Sequence, residues 1–151
     1  MAKIQNYQDD FVLLLETGFI AAGQSDEDAA KKLFNAAHLL KTENTLPKLG
    51  FGYVHLLKLE LKQANKCFDE VLAVEPENEM ARALLGLSTS FTIKEADKGE
   101  KMLEEALKKS KDPTIKNMAK TGLEFVQKFI KKQPTPVQGE TQKAAPKRKG
   151  K

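Results

Sequence analysis

The sequence has no tryptophan, two tyrosines and a single cysteine, and none of its apolar runs is long enough to cross a bilayer. Each shortage excludes something. A lone thiol, Cys67, has no partner for an internal disulfide or for a thiolate-rich metal site, which fits a reducing compartment. Aromatic content of 7% is low for a β-sandwich or barrel, whereas Ala, Leu, Lys and Glu dominate, so the expected class is all-α. The amino-terminal MAKIQNYQDDF lacks a basic segment followed by an apolar run, and later apolar stretches are broken at Glu16 or by Gly and Lys. No export signal and no membrane span are therefore expected.

Groups able to do chemistry are equally sparse. His38 and His55 have no acidic or cysteine partner at metal-ligand spacing, so neither a metal nor a cofactor is expected. Cys67, beside Phe68, reads as a small buried hydrophobe and not as a nucleophile. The acidic pairs Asp9/Asp10 and Glu104/Glu105 read as first-turn charges or solvated faces. Glycines recur inside helical patterns, where they allow close packing, not in a strand-to-helix turn that could cradle phosphate. The expectation is a binding protein, not an enzyme.

Length and charge set the domain plan. A chain of 151 residues with 40% hydrophobic content can build one continuous core. The net charge of +4 is concentrated in residues 133–151, where Lys143, Lys147, Arg148, Lys149 and Lys151 face only Glu140. The remainder is balanced. We therefore expect a folded domain over 1–132 and a disordered basic tail over 133–151. A nucleic-acid stripe belongs on a folded face, so nucleic acid is not the expected partner.

What is present in abundance is a period. Gly18, Gly52 and Gly86 recur at one constant step in the numbering, and Gly122 follows two positions late. Ala30 and Ala64 keep the same step, as do Phe34, Phe68 and Met102, and Ala37 is matched by Val71. A period of about 34 residues fits a pair of antiparallel helices that cross closely, with small residues at the crossing. Gly18, Gly52 and Gly86 supply them in the first helix of each pair; Ala30 and Ala64 do so in the second, with Gly99 as counterpart if the third repeat carries one inserted residue. Mid-helix glycine costs about 1 kcal/mol relative to alanine, so three in register imply a compensating contact. Phe34, Phe68 and either Met102 or Leu103 then fill the space between hairpins.

Stop and start signals divide the chain in the same way. Ser25 precedes the acidic turn Asp26, Glu27 and Asp28; Asn44 or Thr45 leads into Leu46 and Pro47; Asn78 opens the fifth helix and Asp112-Pro113 the seventh. Helices are predicted over about 7–23, 26–41, 46–60, 61–75, 79–92, 95–110 and 113–132, with Pro76 closing the second hairpin. The lysine-rich last helix can supply the polar outer face that ends a stack.

Phe51, Gly52, Ala64, Phe68, Val71 and Pro76 occupy consensus positions of the tetratricopeptide repeat, which the chain resembles most closely there. Departures are visible. Leu14, Lys48 and Arg82 stand where a large aromatic is usual, as do Ala21, His55 and Thr89 three past the glycine. The resemblance implies three hairpins and a closing helix in a right-handed superhelix, whose first helices line a concave groove. Carried over by position, that groove comprises Val12, Leu15, Phe19, Leu46, Leu49, Tyr53, Leu56, Leu57, Met80, Leu87, Phe91 and Leu123, flanked by Ala22, Ala83, Ser90, Ala119 and Val126. Almost none is charged. Binding an acidic peptide terminus needs Lys, Arg and Asn on this face, whereas an apolar lining suits an amphipathic helix or a homodimer contact.

GFIAAGQSDEDAAKKLFNAAHLL within residues 13–40 and SKDPTIKNMAKTG at 110–122 resemble the small tetratricopeptide chaperones of bacterial type III secretion systems, above all those of the needle subunit. This resemblance, over about residues 10–130, implies a chaperone of the bacterial cytoplasm. Its partner would be the amphipathic carboxyl-terminal helix of a needle-type subunit, with a small co-chaperone as a second partner. Translocator chaperones share fold and mechanism and are the nearest alternative; a general scaffold is another. The basic tail belongs to neither chaperone family's pattern.

Overall fold

The computed structural model describes residues 8–132; the expected basic tail at 133–151 lies outside the described residues. Those residues form an all-helical array without strands: α1 (Gln8–Gly23), α2 (Glu27–Leu40), α3 (Leu46–Leu57), α4 (Leu61–Val74), α5 (Glu79–Ser90), α6 (Ala96–Lys109) and α7 (Pro113–Phe125). A short 3₁₀ turn, Ile93–Glu95, precedes α6, and α7 runs on into a π-helical turn, Val126–Ile130. Consecutive helices pair as α1/α2, α3/α4 and α5/α6, while α7 closes against α5 and α6. The odd helices also touch in sequence, α1 to α3, α3 to α5 and α5 to α7. Chain order thus becomes spatial order.

The pairs interlock through missing side chains. A Cβ on Gly18 would lie 2.6 Å from the Phe34 ring, and one on Gly50 would lie 2.5 Å from the same ring. Phe34, fully buried, therefore occupies a slot cut by its own hairpin and the next one. Gly52 makes the equivalent room for Phe68, again at 2.5 Å. Gly50 lies outside the periodic glycine register, because Glu16 and Leu84 stand at the corresponding positions. In the third hairpin Leu103, at 0% exposure, fills the aromatic's place, with Met102 only partly buried. Gly99 meets the α5 backbone directly, so that an added Cβ would clash with the Ser90 nitrogen and come within 2.6 Å of the Gly86 carbonyl oxygen.

That one-residue offset has a visible source. The first two hairpins are joined by three-residue links whose central residues, Ser25 and Leu59, adopt the left-handed conformation at φ 65° and 58°. Each link closes as a Schellman motif. The Asp26 N–H donates to the Ala21 carbonyl and the Ser25 N–H to Ala22; one repeat later, the Glu60 N–H donates to His55 and the Leu59 N–H to Leu56. The third link, residues 91–95, is longer and turns by 3₁₀ bonds, Phe91 to Ser88 and Glu95 to Thr92, without a left-handed residue. Ser25 is accordingly not the helix cap expected from sequence: Asp26 caps α2 by accepting the Ala29 N–H at 3.1 Å. Asn78 and Asp112 cap α5 and α7 as expected, and Asn44 accepts the Leu46 N–H at the start of α3.

The open ends of the hairpins are latched at homologous positions. The Lys41 ammonium lies 4.7 Å from the centre of the Phe11 ring, the Thr45 hydroxyl donates to Glu75 at 2.6 Å, and the Ser110 hydroxyl donates to Glu79 at 2.5 Å. Donor and acceptor change sides between the second and third hairpins while the positions stay equivalent.

Two outcomes follow for stability, measured by urea unfolding. Gly99→Ala should cost about 3 kcal/mol or more, because backbone stands where the methyl must go, whereas Gly23→Ala, which meets nothing within 4 Å, should be neutral or stabilising. Leu59→Gly should gain about 0.5 to 1 kcal/mol by relieving the left-handed strain of an exposed leucine, and Ile93→Gly, in the longer third link, should show no such gain.

Candidate protein-binding face

The odd helices present one face in register. Val12, Leu46 and Met80 form a first row at the repeat step; Phe19, Tyr53 and Leu87 form a second; Gly23, Leu57 and Phe91 a third. Within a helix the rows stand seven and four residues apart, spacings that keep side chains on one side of the helix. None of the nine is charged. Val12, Leu46 and Leu57 are exposed, and Phe19, Tyr53, Met80, Leu87 and Phe91 are partly buried. Ring contacts tie neighbouring helices along the face: Phe19 to Tyr53 at 5.8 Å between centroids, and Phe91 to Phe125 at 5.3 Å. Tyr53 packs against both core clusters, the one around Phe34 and the one around Phe68, so the face and the core share a floor.

Sequence reasoning assigned twelve residues to this face, and they divide by burial. Leu15, Leu49 and Leu56 are core residues at 6%, 3% and 4% exposure, so they support the surface from beneath and are not open to a partner. The flanking Ala22, Ala83, Ser90, Ala119 and Val126 are likewise buried. The reason is geometric: a helix in a stack has two neighbours, and positions three residues from the open rows turn into the seam between hairpins. Leu123 is partly buried near Gly122, whose missing side chain accommodates Leu87 and Leu103. The remaining eight stay at least partly accessible.

Two aromatics were missed. Phe125 continues the third row, one repeat step beyond Phe91, and Phe129 stacks on it at 4.8 Å between centroids. Both are exposed, Phe129 at 66%. Phe125 was legible from the period. Phe129 was not, because it lies in the π turn, where the Lys131 N–H reaches the Val126 carbonyl five residues back. Lys131 fixes this end by pairing with Asp97 at 2.6 Å and with Glu100, which hold its ammonium pKa above the ordinary lysine range, Asp97 first.

Other polar groups serve the scaffold. His55 Nδ1 bonds Glu60 at 2.6 Å, and Lys58 bridges Glu60 and Glu27 at 2.9 and 3.0 Å, joining the second link to the start of α2. His55 and then Lys58 hold the Glu60 carboxyl below the usual carboxylate range. Burial pushes the Cys67 thiol upward, and its Cβ packs at the Gly52 crossing. A cleft of about 370 Å³ lies at the junction of α2, α3 and α4, with Pro47, Phe51 and Val74 in its lining. The Lys48 and Glu70 side chains at that cleft neutralise each other at 2.6 Å, and it includes no residue of the apolar rows. Among the described residues no three His, Cys, Asp or Glu side chains converge as a metal site, and no helix is long and apolar enough to cross a membrane.

Comparison with protein-family models, curated proteins and solved structures gives no match for this chain.

The division between open rows and supporting core is testable in the isolated protein. Leu57→Gln and Phe129→Gln should change unfolding free energy by no more than about 0.5 kcal/mol while lowering binding of a hydrophobic dye; Leu49→Gln should cost about 3 kcal/mol. Equal destabilisation by all three would merge the two classes.

Proposed function

We propose that this chain is a tetratricopeptide-type protein that holds an amphipathic helix of a self-assembling secreted subunit, in the manner of the needle-subunit chaperones of bacterial type III secretion. One observation carries the reading: three rows of uncharged, mostly apolar side chains, Val12/Leu46/Met80, Phe19/Tyr53/Leu87 and Gly23/Leu57/Phe91, repeat across successive odd helices. An apolar face of this continuity is an association liability unless something covers it. A lining without lysine, arginine or asparagine cannot pair with a peptide carboxylate, whereas it can receive leucine-like anchors at helical spacing.

The dimensions are compatible with a helical client. Three steps between odd helices at about 8–10 Å each span roughly 24–30 Å, the length of a helix of about 16–20 residues. Such a helix, buried over about 800 Å² per partner, could not meet its own copies. In the bacterial cytoplasm the chaperone would keep subunits apart until secretion. The face is built on helices whose spacing is fixed by the glycine crossings, so the ordering cost falls on the client.

The test is co-expression of the full chain with the needle-type subunit of the same bacterium, followed by size-exclusion chromatography. Tyr53→Ala, Leu57→Glu and Leu87→Glu should each abolish the complex while far-UV circular dichroism stays helical. Leu57, half exposed at 49%, guards against reading a folding defect as a binding defect. A complex retained by all three variants would refute the assignment of this face.

A further inference from the structure

The cleft at the junction of α2, α3 and α4 has walls of two kinds. Inside it is apolar: Pro47 and Val71 are fully buried, and the partly buried Phe51 ring stands edge-on to Phe34 at 5.8 Å between centroids. At its mouth Lys48 and Glu70 pair at 2.6 Å with their side chains 47% and 42% exposed, and His38, Thr42 and Glu43, all exposed, complete the rim. Its volume of about 370 Å³ falls among those of small-molecule pockets. Neither the charged pair nor the opening belongs to the repeat. Leu14 and Ala36 stand at the positions of Lys48 and Glu70 in the first hairpin. In the third, Arg82 takes the place of Lys48 and turns to the Pro76 carbonyl, and the cleft lined by Glu79, Arg82 and Ser110 holds only about 30 Å³. An ion pair this exposed contributes little to stability, so folding does not account for it.

We infer that this cleft binds a free α-amino acid with an aromatic side chain, its carboxylate on the Lys48 ammonium, its ammonium on the Glu70 carboxylate and its ring turned inward against Phe51, Val71 and Pro47. The mouth selects the head group. Lys48 and Glu70 present a positive and a negative charge side by side, and their complement is a molecule whose own opposite charges are equally close. Set head to tail, the two pairs alternate in a square, so that each charge has two neighbours of opposite sign. A lone carboxylate or a lone amine would engage one member and draw it from its partner, whereas a zwitterion engages both and leaves the pair intact. The interior selects the side chain. Phe51 is only partly buried, so its ring has surface left for an edge-to-face contact with a second ring, and the buried Val71 and Pro47 offer that ring no polar partner. The inference goes beyond the proposed function, because the cleft shares no residue with the apolar rows.

The test titrates phenylalanine into the full-length protein and follows backbone amide shifts. The amides of Lys48, Phe51, Glu70 and Val74 should move saturably, with a Kd of the order of 1 mM for so small a ligand, while that of Lys120 on α7 stays in place. N-acetylphenylalanine and phenylalaninamide, which each lack one charge, should bind at least about tenfold more weakly. Leucine should also bind more weakly than phenylalanine. Lys48→Met and Glu70→Gln should each weaken phenylalanine about tenfold with circular dichroism unchanged, and the exchange Lys48→Glu/Glu70→Lys should restore it, since the square survives inversion of both charges. Absence of a saturable shift at these amides overturns the inference. Equal binding of phenylalanine and its two derivatives overturns it too, as does binding indifferent to both single variants, and leucine binding as tightly as phenylalanine overturns the choice of an aromatic ligand. No client enters the measurement, so its failure leaves the proposed function standing and the loss of that function leaves this site standing.

Discussion

Phe34 can be buried only because two helices give up a side chain to it. Gly18 from its own hairpin and Gly50 from the next stand against the same ring, and a methyl at either position would lie within about 2.6 Å of it. One aromatic therefore sets both the crossing inside the first hairpin and the spacing to the second. Phe68 repeats the arrangement against Gly52, with Leu84 from the following hairpin in the same cluster. A buried aromatic contributes several kcal/mol, more than the roughly 1 kcal/mol lost at each helical glycine, so the exchange favours the close crossing. The apolar rows depend on it, because residues on three different helices share one face only if those helices hold a constant separation and rotation.

The third hairpin solves the same problem differently. Its link has extra length, which removes the need for a left-handed residue and moves the start of α6 one position along the period. Gly86, whose counterparts Gly18 and Gly52 stand against rings, meets Met102 and the Gly99 backbone instead, and Gly99 in turn lies against Gly86 and Ser90 backbone. The shorter connection from α6 to α7 cancels the insertion: the caps Asn78 and Asp112 are again one full repeat step apart. The Glu79–Ser110 latch tolerates the shift by exchanging donor and acceptor relative to Thr45–Glu75. Register is lost after α5 and recovered at the start of α7, so Phe125 stands one repeat step beyond Phe91.

Most of the helical plan was legible because its signals are local or periodic. Caps at Asn78 and Asp112, Pro113 at a helix start and the constant glycine step each act within a turn or through one crossing. What sequence could not separate was depth. Leu15, Leu49 and Leu56 are as apolar as Leu57 and belong to the same helices, yet they turn into the seam between hairpins while Leu57 faces outward. Hydrophobicity alone does not tell which neighbour a residue meets. Ser25 was misplaced by one residue for a related reason: serine and aspartate both suit a cap, and the Schellman closure that gives the role to Asp26 lies in the carbonyls of the preceding helix. Phe129 escaped because a π turn breaks the 3.6-residue rule on which the prediction of faces rests.

The odd helices carry opposite burdens on their two sides, and that limits what the face can be. Toward the seam, Leu49 and Leu56 hold α3 in place; toward the outside, Tyr53 joins the Phe34 and Phe68 clusters while remaining partly accessible. A surface anchored in this way cannot rearrange to fit many shapes, because moving Tyr53 disturbs both clusters. It can only offer the rows it already has. Selectivity, on the proposed function, must then come from the partner's own spacing of anchors, since helix-to-helix steps of about 8–10 Å match side chains about five to seven residues apart along a helix. A rigid apolar ruler of this kind discriminates by length and periodicity, and it leaves electrostatics to the ends, where α1 is acidic and α7 basic.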